Sequence, residues 1–184
     1  MTERADSRWM GVIDKYYSDN LPLRDLLILH SRLVADKALK VADLHPELGL
    51  DRQFVEEASM LHDIGIFLTD AAPIHCKGHY PYICHGYLGS ELLVREGLPR
   101  HALVAERHTG TGLSLEQILE RNLPVPHRDM IPVSLEETVI CFADKFFSKT
   151  RPEREKSVDE AAASLSRFGE DTLLRFRRWC DMFL

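Results

Sequence analysis

Apolar residues along this chain recur at three- and four-residue steps, and no stretch keeps up the alternation that a half-buried strand requires. The pattern predicts an all-α fold. Pro22 suits a first helical position, and Leu23, Leu26, Leu27, His30, Val34, Ala38 and Val41 then form one stripe that runs to about Leu44. Asp51 is placed to cap a second helix with Phe54, Ala58, Leu61 and His62 on its inner face and Gly65 at its end. Residues 69–84, with Pro73, Gly78 and Pro81, read as a loop. A third helix starts at His85 and runs to Gly97, and a fourth spans about Pro99 to His108. Ser114-x-x-Gln117, Ser134-x-x-Glu137 and Ser157-x-x-Glu160 match capping boxes; the second opens a helix continuing to about Lys149. Gly169 separates the third of these from a terminal helix ending near Trp179. Residues before Pro22 read as a polar lead.

No repeat or composition shift divides the 184 residues, so one domain over 1–184 is expected, with helices after residue 157 packing on a core of about 23–150. The hydrophobic fraction of 45% is enough for a packed core, and no apolar run approaches the roughly 20 residues that span a bilayer. Met1 to Asp6 is charged and leads into no signal-like stretch, which points to a cytoplasmic setting without membrane partners. Cys76, Cys84, Cys141 and Cys180 form no Cys-x-x-Cys pair and read as reduced thiols. A net charge of -6 predicts no duplex nucleic acid partner.

The chemistry lies among the nine histidines. His30 falls on the apolar stripe of its helix, His62 shares a face with Ala58 and Leu61, and Asp144 lies one turn from both Ile140 and Phe147. Burying these groups without a partner is costly, and a cation in the core would satisfy all three. Asp63 adds a second carboxylate, while His85 and His108 fall at helix ends. Imidazole with carboxylate suits Fe, Mn, Zn or Ni, and six donors exceed one structural site, so two divalent transition-metal ions sharing Asp63 are expected.

The ordered set His30, His62-Asp63-Ile64-Gly65, His85, His108, Asp144 resembles the HD-domain metal-dependent phosphohydrolases of HDIG type. Arg107-His108-Thr109-Gly110 and Phe142-Ala143-Asp144-Lys145, with Arg151-Pro152, are similar to segments of the bacterial symmetrical diadenosine tetraphosphatases and small relatives. The resemblance implies a single HD-domain helical bundle. It also implies that His30, His62, Asp63 and Asp144 hold one metal, and Asp63, His85 and His108 the other. The activity implied is hydrolysis of a phosphate ester or anhydride of a small nucleotide-like substrate by a metal-bridging hydroxide. Asp63, Lys145, Arg107 and His79 are the candidate catalytic groups, and Lys145, Lys149, Arg151 and Thr109 the candidate substrate contacts. Phosphomonoesterase, phosphodiesterase and pyrophosphohydrolase remain open, as do a mixed-valent di-iron oxygenase and a non-catalytic metal-dependent signalling module. Phe168, Phe176, Trp179 and Phe183 read as packing or as a homodimer face.

Overall fold

The structure, a computed structural model, describes residues 8–184. The amino-terminal hexapeptide read for a secretory signal lies outside the described residues. The fold is all-α, in the order α1 (Arg8–Tyr17), α2 (Leu21–Leu44), α3 (Arg52–Leu61), α4 (His85–Arg95), α5 (Pro99–Arg107), α6 (Leu115–Glu120), α7 (Leu135–Asp144), α8 (Val158–Leu165) and α9 (Glu170–Phe183). Two two-residue strands, β1 (Asp70–Ala71) and β2 (Cys76–Lys77), pair antiparallel in the connection before α4, with Asp70 opposite Lys77. Among the described residues no helix is long and apolar enough to cross a membrane.

The helix starts follow from local hydrogen bonding. Asn20 accepts from the amide of Leu23 and Asp51 from that of Phe54, each quenching a first-turn donor. Ser114 with Gln117 and Ser157 with Glu160 form complete capping boxes. Ser134 closes only half of one: it accepts from the Glu137 amide, but the Glu137 carboxylate turns to the Val133 amide (3.0 Å) and to Arg107 (2.8 Å). Three helix boundaries differ from expectation. The polar lead contains α1, whose Trp9, Val12, Ile13 and Tyr17 are buried; the short apolar stripe is diluted by charge in the sequence. The helix expected to reach Lys149 ends at Asp144. The one expected to stop at Gly65 ends at Leu61.

Gly65 is therefore no helix terminator. Its φ is -83°, open to any residue. A Cβ there would lie 2.2 Å from the His85 carbonyl oxygen and 2.5 Å from the Gly89 amide nitrogen, both backbone atoms of α4. The missing side chain lets the turn after α3 lie directly against α4, and this brings His62 and Asp63 to His85.

Two apolar clusters flank the centre. One joins α1, α2, α3, α4 and α5 through Tyr17, Leu27, Leu61, Leu93 and Ala105. The other joins α2, α3, α7 and α9 through Val34, Val55, Phe142, Phe176 and Phe183. Phe176, Trp179 and Phe183 are buried in it, so of their two readings these three follow packing and not a homodimer face. All four cysteines are free thiols. Gly11 offers a contrast with Gly65. It lies exposed in α1 with open space around its α-carbon, so Gly11→Ala is expected to stabilise the fold by about 0.5–1 kcal/mol through helix propensity, a rise in urea midpoint at unchanged slope.

Candidate functional site

Five helices deliver polar side chains to the middle of this apolar frame. His30 comes from the centre of α2, His62 and Asp63 from the end of α3, His85 from the first residue of α4, His108 from the end of α5 and Asp144 from the last residue of α7. His30, His62 and Asp63 are fully buried, and the other three nearly so. One donor atom each from His30, His62, Asp63 and Asp144 lies within 4.8 Å of the others, and the same holds for Asp63, His85 and His108. These side chains could hold a metal ion.

Three of the rings are oriented by one device. Nδ1 of His62, His85 and His108 each donates to the carbonyl three residues earlier: Ser59 at 2.6 Å, Tyr82 at 2.6 Å and Ala105 at 2.8 Å. A carbonyl only accepts, so the proton of a neutral ring is on Nδ1 and the Nε2 lone pair points inward. Burial, reinforced by the charge of His108, pushes His85 down to about 3, and burial lowers His108 as well. Both rings are thus neutral, yet their Nε2 atoms lie only 3.0 Å apart. Two lone pairs facing each other at that distance repel, and a proton or a cation between them relieves the repulsion.

The carboxylates balance differently. Lys145 reaches Asp144 at 2.7 Å and Lys149 reaches Asp63 at 2.5 Å. Burial opposes ionisation of both acids, but Lys149 and His62 hold Asp63, and Lys145 and His30 hold Asp144, well below the usual carboxylate range. Burial likewise opposes charge on His62, and Asp63 with Asp144 outweighs it, raising the ring to about 9. Electroneutrality alone therefore does not demand an ion here. Asp63 also lies 3.2, 3.1, 3.4 and 3.3 Å from His30, His62, His85 and His108, at ion-pair distance. Neither of its oxygens has a well-directed hydrogen bond, and His62 Nε2 also lacks one. Donors that approach without pointing at one another converge on a common centre, as ligands do.

A cavity of about 590 Å³ opens above His85, His108 and Asp144. Lys145, Lys149 and Thr109 line it, as the sequence suggested for substrate contacts. Three expected residues are elsewhere. His79 is exposed in the loop before α4, Arg151 is exposed in the turn beyond Lys149, and neither lines the cavity. Arg107 is spent on Glu137, a half-buried ion pair that joins α5 to α7. Missed by the sequence reading were Lys156 and Arg167, with the apolar walls Tyr82, Phe147 and Phe168. Both cations lie beyond Arg151 in the chain and reach the cavity only through the fold, so distance along the sequence from Asp144 is no guide to them. His101 is buried against the Phe54 ring and Glu57, away from the cavity.

Comparison with known proteins gives the relationship. A tRNA (cytidine(56)-2'-O)-methyltransferase of Picrophilus torridus is 33% identical over 128 residues, 69% of this chain and 33% of its own length. An enzyme of the same name from Thermoplasma volcanium is 28% identical over 125 residues, 67% of this chain and 32% of its own. The uncharacterized protein MJ0778 of Methanocaldococcus jannaschii is 32% identical over 133 residues, 67% of this chain and 71% of its own. The chain belongs to the family of MJ0778. It spans about a third of the two methyltransferases. No family profile and no solved structure matches it.

These names correct the expected family and chemistry. The resemblance to HD-domain phosphohydrolases gives way to relatives named as methyltransferases, and hydrolysis, with its oxygenase and signalling alternatives, goes with it. The expected cofactor, two divalent transition-metal ions serving a hydrolytic centre, falls with that reaction. The small nucleotide-like substrate, and the expectation of no duplex nucleic acid partner, yield to a tRNA in the relatives' names. The physical reason is that inward histidines and aspartates fix where lone pairs and charge converge, which is a statement about a site and not about a reaction. Net charge misled similarly, being an average over the chain. Lys145, Lys149, Lys156 and Arg167 gather on one cavity despite the total of -6.

Proposed function

We propose that this chain works in tRNA modification as a part that holds one nucleotide of the RNA over the His/Asp centre. The reading is carried by the match of about two thirds of the chain to two separately named tRNA methyltransferases. The cavity supports it: basic side chains at one wall suit a phosphate, and Tyr82, Phe147 and Phe168 offer apolar faces to a base. We take the chain as one domain working in the cytoplasm, where tRNA is met. His30, His62, Asp63, His85, His108 and Asp144 are assigned as ion ligands, Lys145 and Thr109 as substrate contacts beside them. A cation held there would add positive charge next to the phosphate. Lys145 is fixed for this by Asp144 and by the His108 carbonyl at 2.8 Å, which orients its ammonium at the cavity floor.

The test is binding of an unmodified tRNA transcript, followed by methyl transfer from labelled S-adenosylmethionine in the presence and absence of the chain. Binding clearly tighter than the roughly 10⁻⁴ M of the weakest non-specific contact, with a shallow salt dependence because few phosphates are engaged, is expected. Binding no tighter than that, together with methylation indifferent to the chain, overturns the reading.

A further inference from the structure

The cations deepest in the cavity are already committed. Lys145 is bound to Asp144 and the His108 carbonyl, and Lys149 to Asp63. Each charge is balanced by the acid beside it, so Lys145 can donate a hydrogen bond to the nucleotide but adds no net charge against a second anion.

The outer wall differs. Lys156 precedes α8 and is half-buried; among the described residues its ammonium has no carboxylate at ion-pair distance, and its one hydrogen bond is to the Lys145 carbonyl at 3.5 Å. Arg167, in the turn after α8, lies with its guanidinium 4.8 Å from the ring centroid of Phe168 and likewise has no carboxylate partner among the described residues. Ser164 lines the cavity between them in sequence, and Ser148 and Thr150 add hydroxyls from the segment after α7. Burial holds the Lys156 ammonium below its ordinary value; Asp144 and Glu160 act against this, Lys145 and Arg167 with it. Two cations that repel each other across a hydroxyl-lined wall are stabilised by an anion between them.

We propose that Lys156 and Arg167 form a phosphate subsite on the outer wall of the cavity, distinct from the His/Asp centre, which takes a backbone phosphate of the RNA next to the nucleotide seated inside. The proposal rests on the tRNA reading for the source of the phosphate, but not for its chemistry. Cavity size fits this division, since 590 Å³ is in the range of ordinary ligand sites and leaves space beyond the inner donors.

The experiment measures tRNA affinity over a range of salt, and inorganic pyrophosphate binding by calorimetry, for the wild type, Lys156→Ala, Arg167→Ala, the double variant and Lys156→Arg. Arg167 is exposed and Lys156 half-buried, and an unchanged melting temperature confirms folding. Each alanine variant should weaken tRNA about tenfold, with the salt slope shallower by about 0.7 per lost contact, while Lys156→Arg keeps most of the affinity. If tRNA binds the wild type and all variants alike, the subsite is overturned and the tRNA reading stands. If tRNA fails to bind but pyrophosphate binds the wild type at least tenfold more tightly than the double variant, the subsite stands with a free phosphate compound as its ligand and the tRNA reading falls. If tRNA fails to bind, and pyrophosphate binds the wild type and the double variant alike or binds neither, both readings are overturned.

Discussion

Asp63→Ala is expected to lower stability by about 3–5 kcal/mol, more than any other single change at the centre, because it strands the charge of Lys149, whose side chain is only 13% exposed. For a chain of this size that is a fall in melting temperature of roughly 6–20 °C. Truncation also removes the group shared by all four inward rings, so retention of metal by the purified protein should drop to background. Stability and ligation can be separated. Removing the stranded charge as well, in Asp63→Ala with Lys149→Met, should recover most of the lost stability in chelator-treated protein while leaving metal retention at background. A double variant no more stable than Asp63→Ala refutes the ion-pair account. Wild-type protein that takes up no metal after incubation with it refutes the ligand assignment. The pH dependence has a fixed sign. The folded state holds the Asp63 carboxyl well below its usual range, so its contribution is complete above about pH 4 and is lost as pH falls further; the gap between wild type and variant closes in acid.

Gly65→Ala should be the second most damaging change, at about 3 kcal/mol or more. The added methyl would meet backbone atoms of α4 at 2.2 and 2.5 Å, contacts that no rotamer change relieves. Relief requires α3 and α4 to part, which would also separate His62 and Asp63 from His85. Metal retention and tRNA affinity should therefore fall along with stability, although the glycine touches neither ligand. Equal stability of Gly65→Ala and Gly11→Ala would show that the turn after α3 has slack that the close approach denies.

Much of this centre was legible in the sequence, and the reasons are specific. His30 stood on a clean apolar stripe, and Ala58, Leu61 and His62 shared a face, so helical geometry alone aimed both rings inward. His85 and His108 were readable as helix-end residues, though their anchoring by the Tyr82 and Ala105 carbonyls was not. Lys149 lines the cavity although its helix ends five residues earlier, because the chain continues in tight turns through Phe147. Arg107 and Arg151 failed for one shared reason: proximity along the chain says nothing about whether a charge is already paired or faces outward. Lys156 and Arg167 required knowledge of how α8 folds back over the cavity, a long-range fact with no local signature. Gly65 carried a misleading one, since a glycine after a helix ordinarily marks its end.

His30 and Asp144 meet at 3.0 Å although 114 positions separate them in the chain. A ligand gripping both, together with His62, His85 and His108, would act as a reversible cross-link over most of the polypeptide. Fragments cut anywhere between α2 and α7 would lack part of the grip, so occupancy of the centre would report on the intact chain. Tight binding there would also add a concentration-dependent increment to stability, and resistance to proteolysis within the α2–α7 span should rise and fall with the ligand supplied.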